Sequence, residues 1–471
     1  MALGEIADRL IEEVEARGAA LNEALFEPVI RLGVTGLSGA GKTVFITSLV
    51  ANLLDRARMH ELSAAREGRI RAVYLQPQPD DTVARFDYEA HLARLLADPP
   101  GWPESTRTIS ELRLSFRLRP GGLAGAIGGE RRVHLDIVDY PGEWLLDLAL
   151  LDQSYRQWSE ATLARMRADP AAAAALADIT ATDPAGRHDE ARATALARAF
   201  TAWLTARRTA GMALTGPGRF VLPGEMAGSP ALSFAPLPAP DHAPRGSLWR
   251  EMARRYEAYR AHVVRPFFRQ HFARIDRQVV LVDALGALHA GPGALAGMRE
   301  AMAGILTAFR PGRASWLARA LGAHRVQRIL FAATKADHLH HSQHPRLVAL
   351  MEAALAEARA RADYAGAGTR AMAIAAARAT TEVTLSREGR RHDCVRGVLM
   401  AEGREAAFWP GDLPERPEAL LRAGAQPGPP PGGDFARMRF APARPVAGAA
   451  GGLAHIRLDR AAEFLIGDRL R

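Results

Sequence analysis

The sequence predicts an α/β fold with a mostly parallel sheet, and three patterns support this expectation. A short apolar run at 29–35 leads into a Gly-rich loop and then into a helical pattern from Thr43 to about Arg58, which is the first half of a β-α-β unit. The runs at 278–283 and 326–333 are almost continuously apolar. Parallel strands covered on both faces have this appearance, so both runs are expected to be core strands.

Four further runs, 71–75, 110–118, 132–138 and 371–376, are strand candidates of the same sheet. The run at 110–118 alternates between apolar and polar residues, and Gly-rich residues separate it from 132–138. We therefore expect these two runs to form an antiparallel hairpin at one edge of the sheet.

The character of the chain changes after the first strands. Residues from about 147 to 275 are rich in Ala, Arg and Leu and have helical periodicity, which predicts a helical insertion between two core strands. The patterns divide the chain into an N-terminal helix (1–28), a first part of the core (29–146), the helical insertion (147–275), a second part of the core (276–380) and a C-terminal extension with a small β element and a closing helix (381–471).

Composition restricts the class of protein. The 471 residues are 48% hydrophobic and 24% charged, as in ordinary soluble globular chains. With Cys394 alone, no internal disulfide can form. The acidic N-terminus does not resemble a secretory signal, and no apolar run is long enough for a transmembrane helix, so a cytoplasmic location is expected. The net charge is +9, but the basic residues are scattered, so a nucleic-acid partner is not expected.

The use of lysine is unusual. Among 61 Lys and Arg residues only Lys42 and Lys335 are lysines. The compact ammonium of lysine and the planar guanidinium of arginine are not interchangeable at sites that need one of them. A chain that otherwise uses Arg and keeps these two lysines is expected to need them for chemistry.

The first lysine lies in the motif G-x-x-x-x-G-K-T, which spans 36–43 between a predicted strand and a predicted helix. Backbone N–H groups of such a loop and the start of the helix attract phosphate groups. A chance Gly-rich turn is the alternative, but it does not account for the strand before the motif and the helix after it. The predicted phosphate-binding residues are Ser38, Gly39, Ala40, Gly41, Lys42 and Thr43, with Lys42 also catalytic and the Thr43 hydroxyl a ligand of Mg²⁺.

A second motif, D-x-x-G, follows the predicted strand 132–138. Asp139 at the strand end is predicted to hold Mg²⁺, and the backbone of Gly142 to contact the γ-phosphate. A simple turn containing Pro and Gly is the alternative. Asp136 is the competing carboxylate, but it lies inside the strand and no glycine follows it at the required spacing.

The second lysine lies in the motif T-K-x-D after the strand 326–333, and the predicted base-binding residues are Thr334, Lys335 and Asp337. The Asp337 carboxylate can accept both the N1–H and the amino hydrogens of guanine, whereas adenine does not present these donors on that edge. An ordinary exposed loop is the alternative. The stretch after the last core strand, with Ala376 and Ala377, is where a fifth nucleotide-binding segment belongs, although its sequence departs from the usual pattern.

Two residues between or beside these motifs are candidates for the reaction itself. A threonine before the strand 110–118 should complete the Mg²⁺ site, and we favour Thr106 over Thr108, with a purely structural loop role as the alternative. Glu143 follows the D-x-x-G glycine, where it could orient or deprotonate the attacking water. Its charge would stand near the γ-phosphate, which predicts slow hydrolysis without an activating partner. The alternative is that Glu143 only pairs with a surface arginine.

The order of the three motifs, each after its own apolar strand, is that of TRAFAC-type GTPases. It predicts a P-loop nucleotide-binding core that holds GTP or GDP and hydrolyses GTP with Mg²⁺. Two other interpretations remain open: an ATP-using P-loop enzyme, and a nucleotide-bound scaffold with little hydrolysis. The former would leave Asp337 without a purpose.

Five longer runs resemble the YcjX-like family of bacterial P-loop GTPases. They are W-P-x-x-T at 102–106, D-Y-P-G-E-W-L-L-D-L at 139–148, V-D-A-L-G-A-L at 282–288, F-W-P-G-D-L-P at 408–414 and H-I-R-L-D-R-A-A-E-F-L-I-G-D at 455–468. The resemblance implies a nucleotide-binding core with a helical insertion and a stress-associated GTPase. It also implies a small inner-membrane partner of the YcjF type, and hence peripheral attachment to the inner membrane.

Two features lie outside these motifs. Four histidines, His338, His340, His341 and His344, follow Asp337. No Cys and no ordered carboxylate accompanies them in the sequence, so a solvated loop is favoured over a metal site. Asp283 ends a core strand and is expected to be a helix cap.

Overall fold

The computed structural model describes residues 27–36, 39–104, 108–119, 130–209, 216–307, 326–364, 366–387, 389–415, 417, 439–444 and 451–471. The predicted helix at 1–28 therefore lies almost wholly outside the described residues. Ser38 and Thr106 also lie outside them.

One mixed sheet forms the centre of the described chain. Its order is β2-β4-β5-β1-β6-β7-β8, with the short β3 paired to β4. The strands are β1 (Val29–Gly36), β2 (Ile70–Gln76), β3 (Ala84–Arg85), β4 (Ser110–Leu118), β5 (Arg131–Asp139), β6 (Arg277–Val282), β7 (Arg328–Ala333) and β8 (Gly368–Ala373). The predicted α/β fold with a mostly parallel sheet is confirmed.

The pairing of the strands corrects one prediction. Strands β5, β1, β6, β7 and β8 are parallel, and β4 pairs antiparallel with β5. The predicted hairpin exists, but it is not at the edge, because β2 pairs antiparallel with the outer side of β4. The prediction was wrong because an alternating pattern indicates which face of a strand is covered. It does not indicate whether another strand pairs with the free backbone edge of β4.

The sheet is buried on both faces, which explains the continuous apolar runs. In β6, Val280 and Val282 face the core formed with the helical insertion, whereas Val279 and Leu281 face the core formed with the first and last helices. Successive side chains of a strand point to opposite faces, so both sets must be apolar.

Helices cover both faces. They are α1 (Lys42–Asp55), α2 (Ser63–Arg66), α3 (Tyr88–Leu96), α4 (Gly142–Leu146), α5 (Tyr155–Arg167), α6 (Ala173–Thr180), α7 (Glu190–Thr209), α8 (Leu248–Tyr259), α9 (Arg265–Gln270), α10 (Ala284–His289), α11 (Pro292–Thr307), α12 (His344–Tyr364) and α13 (Leu458–Ile466). Short 3₁₀ turns link them, and a π-helical turn at Arg260–Val264 joins α8 to α9. None of the helices in the described part of the chain combines the length and apolar character that crossing a bilayer requires.

The helices between β5 and β6 begin at well-defined caps and share an aromatic core. Ser154 and Gln157 form a capping box at the start of α5, and the Ser247 side chain caps α8. Trp158 of α5 stacks on Tyr256 of α8, with ring centroids 5.2 Å apart. Aromatic rings bury much apolar area, so this packing holds the insertion together.

The C-terminal part contains a small sheet and a closing helix. Strands β9 (Thr380–Arg387), β10 (Arg390–Val398) and β11 (Glu405–Phe408) form an antiparallel sheet of order β11-β10-β9. Helix α13 then packs on the same face of the main sheet as α1.

A fully buried arginine attaches α13 to the main sheet. Arg277, at the start of β6, is 0% exposed. Its Nε donates to the carbonyl of Leu465 at 2.8 Å, and its terminal nitrogens donate to Gln327 Oε1 at 2.6 Å and to Asp468 Oδ2 at 2.9 Å. A buried guanidinium is tolerated only when its donors are satisfied in this way.

Replacing this arginine should destabilise the fold. We expect Arg277→Ala to lower the free energy of unfolding by about 3 kcal/mol, because three acceptors lose a buried donor. Arg469→Ala is the control, since the exposed Arg469 reaches the same Gln327 at 3.1 Å and should contribute less than about 1 kcal/mol. Urea denaturation of both variants measures the difference. Equal midpoints for both variants would contradict the role given to Arg277.

Candidate functional site

The predicted motifs meet at one edge of the sheet. The parallel strands β5, β1, β6, β7 and β8 all end there. Strand β1 lies between β5 and β6: from β1 the chain first forms the strands on the β5 side of the sheet and later those on the β6 side. Ligands of open α/β sheets bind at such a switch point, outside the carboxyl ends of the strands.

The loop between β1 and α1 has the backbone conformation expected of a phosphate-binding loop. Gly39 and Gly41 have φ values of 79° and 83°, in the left-handed region that favours glycine. A Cβ at either position would meet no atom within 4 Å, so backbone conformation, and not crowding, requires glycine there. Ala40 is buried beneath the loop, and α1 begins directly at Lys42.

The loop after β5 lies against the start of the phosphate loop. A Cβ added to Gly142 would be 2.8 Å from the carbonyl oxygen of Gly36 and 3.2 Å from Thr35 Oγ1. Any side chain at Gly142 would push these two segments apart. The glycine of D-x-x-G is thus required by contact with the first motif, which sequence spacing alone does not show.

Lys42, Thr43 and Asp139 are brought together at this junction. Lys42 Nζ is 3.5 Å from Asp139 Oδ1, and the Asp139 side chain is only 1% exposed. The Thr43 hydroxyl donates to the backbone carbonyl of Glu104 at 3.2 Å. The segment leading to Thr106 therefore reaches Thr43, although Thr106 itself is outside the described residues.

The oxygen donors at this place fit a magnesium ion. A carboxylate and a hydroxyl are the hard oxygen ligands that Mg²⁺ takes, in combination with phosphate oxygens and water. The competing Asp136 is committed elsewhere, since its carboxylate accepts from Arg113 Nε at 2.6 Å and from a terminal nitrogen of Arg113 at 2.9 Å. Strands β4 and β5 place these two residues opposite each other.

The third motif lies after β7 at the same edge. Lys335 adopts a left-handed φ of 61°, and its Nζ donates to Asp283 Oδ2 at 2.5 Å. Asp283 also caps α10 by accepting from the backbone N–H of Gly286 at 2.8 Å. The cap predicted for Asp283 is therefore present, and the same carboxylate orients the Lys335 side chain.

Asp337 is 4% exposed and contacts the loop after β8. Its Oδ2 accepts from the backbone N–H of Ala379 at 2.7 Å, and its backbone carbonyl accepts from the Thr380 hydroxyl. The predicted fifth segment thus lies beside Asp337, but the described contact is made by Ala379 and not by Ala376 or Ala377. A backbone donor has no signature in the sequence, so this contact could not be predicted.

The strand that precedes this fifth segment also differs from its prediction. β8 covers Gly368–Ala373 and not 371–376. The whole stretch from Ile374 to Arg378 is therefore loop. Backbone hydrogen bonds from Ala375 to Ile456 and from Arg378 to Ala454 hold this loop against the C-terminal segment.

Glu143 is held by the helical insertion. It is 2% exposed, and its Oε1 accepts from Arg208 Nε at 3.2 Å. Arg208 lies at the end of α7, with its side chain 29% exposed. Glu143 therefore pairs with a partly exposed arginine, whose identity the long sequence separation concealed. Whether Glu143 acts in hydrolysis or only forms this pair stays a prediction.

The residues after Glu143 are fastened to the same insertion. Trp144 Nε1 donates to the carbonyl of Leu222 at 2.9 Å, and the Arg219 guanidinium lies over its ring, 3.5 Å from the centroid. The Asp147 carboxylate accepts from Gly218 N–H and from the Tyr259 hydroxyl, both at 2.6 Å. Burial raises the pKa of Asp147 to about 6, although these two hydrogen bonds oppose the shift.

Comparison with known proteins identifies the family of this chain. The sequence profile of the YcjX-like family, DUF463, matches residues 30–470. A protein of Escherichia coli (strain K12) named Ras-like GTPase YcjX is 38% identical over 461 residues, covering 94% of this chain and 96% of that protein. A Ras-like GTPase YcjX of Shewanella oneidensis is 35% identical over 492 residues, covering 98% of this chain and 99% of that protein. The resemblance predicted from the motifs is confirmed, and the chain belongs to the YcjX-like family.

Proposed function

We propose that this chain binds GTP together with Mg²⁺ and hydrolyses GTP to GDP and phosphate. The observation that carries the proposal is the meeting of Lys42, Thr43, Asp139 and Gly142 at the sheet edge that also holds Asp337. The two relatives described above are named Ras-like GTPases, which supports the same activity.

The phosphate end of the site follows from the first two motifs. The backbone N–H groups of the loop 38–43 bind the phosphates, with Lys42 on the β- and γ-phosphates and the Gly142 N–H toward the γ-phosphate. Thr43, Asp139 and Thr106 are the proposed holders of Mg²⁺, which when bound neutralises charge on the phosphate oxygens. The neighbourhood of Lys42, Asp139 and Thr43 supports this arrangement.

The base end follows from Asp337 and its neighbours. Asp337 accepts the two donors of the guanine edge, while the Lys335 stem lies along the purine ring and Thr334 positions the turn. The loop with Ala376 and Ala377 closes this end of the site. The buried position of Asp337 and the Lys335–Asp283 ion pair support a fixed, base-selective geometry.

Hydrolysis is proposed to be slow without an activating partner. Glu143 is the group placed to orient or deprotonate water, but its ion pair with Arg208 holds the carboxylate toward the helical insertion. The insertion would then act on hydrolysis through this contact. We likewise propose the division of the chain into the five segments given above, with 147–275 as the insertion.

The cellular role is proposed from the family resemblance. It implies a stress-associated regulatory GTPase that is cytoplasmic or peripherally attached to the inner membrane, with a membrane partner of the YcjF type. Nucleotide-dependent changes in the loops around Gly142 and Thr106 would be what such a partner detects.

Removing the phosphate-loop lysine should abolish tight binding. We expect Lys42→Ala to weaken GTP binding about 10- to 100-fold, since a charge-assisted contact to phosphate is lost, and to eliminate hydrolysis. Calorimetry measures binding, and an unchanged melting temperature shows that the variant is folded. Near-native affinity would mean that the loop does not bind phosphate.

Changing the base-reading carboxylate should change base preference. Asn at position 337 can still accept from Ala379 N–H, but its amide donates where guanine also donates. We expect Asp337→Asn to lose about 100-fold in GTP affinity and to gain affinity for xanthosine triphosphate. The exposed Asp412→Asn is the control and should leave both affinities unchanged. Unchanged GTP affinity in Asp337→Asn would favour an ATP-using enzyme instead.

Two substitutions test the Glu143–Arg208 pair. Glu143→Ala should slow single-turnover GTP hydrolysis at least about tenfold if the carboxylate assists the attacking water, and Glu143→Gln should slow it less. Arg208→Ala should accelerate hydrolysis several-fold, since it releases Glu143. Glu160→Ala, at an exposed position of α5, is the control.

The outcomes separate the roles of the two residues. If both Glu143 variants hydrolyse GTP as fast as the parent, Glu143 has no part in the chemistry. If Arg208→Ala instead slows hydrolysis with binding unchanged, Arg208 assists the reaction and does not restrain Glu143.

A further inference from the structure

Of the four histidines after Asp337, His338 and His344 pack within the fold, whereas His340 and His341 face carboxylates. His344 Nε2 hydrogen-bonds to the carbonyl of Ala336 at 2.8 Å in the buried interior, and the His338 ring packs edge-on against Phe440. His340 and His341 instead lie beside the small C-terminal sheet and contact Glu382 of β9. Their ring centroids are 4.2 Å apart.

Carboxylates that the sequence does not place near these histidines meet them in the fold. His341 Nδ1 is 2.7 Å from Glu382 Oε2, and His340 Nε2 is 3.7 Å from the same oxygen. The three ligand atoms of His340, His341 and Glu382 lie within 4.8 Å of one another. Zinc binds imidazole nitrogen and carboxylate oxygen at about 2.0–2.2 Å, so small side-chain rotations bring all three atoms to one ion.

Neighbouring groups orient both the Glu382 carboxylate and the His340 ring. Glu382 Oε1 accepts from the backbone N–H of His341 at 3.1 Å, which leaves Oε2 directed at the two rings. Asp393 Oδ2 lies 3.4 Å from His340 Nδ1. The nearer partner of His340 Nδ1 is Ser342, whose hydroxyl is 2.9 Å away and whose backbone N–H is 3.4 Å away, and this hydroxyl donates to Asp393 Oδ2 at 3.4 Å. Metal binding at Nε2 requires the tautomer with its proton on Nδ1, in which His340 donates to the Ser342 hydroxyl and Asp393 acts through that hydroxyl.

We propose that His340, His341 and Glu382 form a binding site for a zinc-type transition-metal ion, with Ser342 and Asp393 orienting His340. Two imidazoles and one carboxylate select such an ion over Mg²⁺ and Ca²⁺, which prefer oxygen ligands throughout. Three protein ligands leave a coordination position for water, which fits the partly exposed location.

The bound ion would join two segments that also meet at Asp337. His340 and His341 follow Asp337 in the same loop, and Glu382 follows Thr380, whose hydroxyl donates to the Asp337 carbonyl. A metal bridge between the loop and β9 would therefore restrict opening of this corner of the molecule.

Zinc titration of the untagged, EDTA-treated full chain tests the site without added nucleotide. We expect one equivalent of Zn²⁺ to bind in calorimetry and to raise the melting temperature, because the ion binds the folded state. His341→Ala and Glu382→Gln should each lower the zinc affinity at least about tenfold, and Asp393→Asn should lower it by a smaller factor. Excess Mg²⁺ should not compete.

A histidine outside the cluster provides a matched control. His242 is an exposed histidine outside the cluster, so His242→Ala should bind zinc as the parent does. The variants change exposed or half-exposed side chains, and their melting temperatures without zinc should equal that of the parent. Absence of stoichiometric binding, or binding that survives both His341→Ala and Glu382→Gln unchanged, would overturn the proposal.

Discussion

The arrangement of this molecule depends on one constraint, the very close approach of the β1 and β5 ends. Gly142 lies so near the carbonyl of Gly36 that a single added carbon would be 2.8 Å from it. This contact holds Asp139 beside Lys42 and sets the loop after β5 against the phosphate loop. The parallel register of β1 with β5 and β6 makes the approach possible, and the apolar cores on both faces of the sheet fix that register.

The two lysines illustrate how composition and fold agree. In a chain that otherwise uses arginine, each lysine follows the end of a parallel strand and lies next to an aspartate at the end of a neighbouring strand: Lys42 beside Asp139, and Lys335 beside Asp283. A compact ammonium can stand between a carboxylate and a ligand in a narrow place, where a planar guanidinium would need more room. The lysines were recognisable in the sequence, but of their two partners only Asp139 was predicted for the site.

Much of the fold was predictable because continuous apolar strands and a Gly-rich loop are local signals. The parallel strands, the helical insertion and the closing helix follow from such patterns. Contacts between distant segments did not follow: β2 covering β4, Ala379 N–H on Asp337, Arg208 on Glu143 and Glu382 beside His341. Each joins residues far apart in sequence, and a backbone donor or one arginine among many carries no local mark.

The proposed function requires the edge of the sheet to bind a guanine nucleotide. This requirement can be tested by identifying the nucleotide that the purified protein retains, and then by measuring competition between GTP and ATP for the site in the presence of Mg²⁺. We expect retained GDP or GTP and an ATP affinity at least about 100-fold weaker than the GTP affinity, because adenine cannot supply the donors that Asp337 accepts. Retained adenine nucleotide, or equal competition by ATP and GTP, would contradict it.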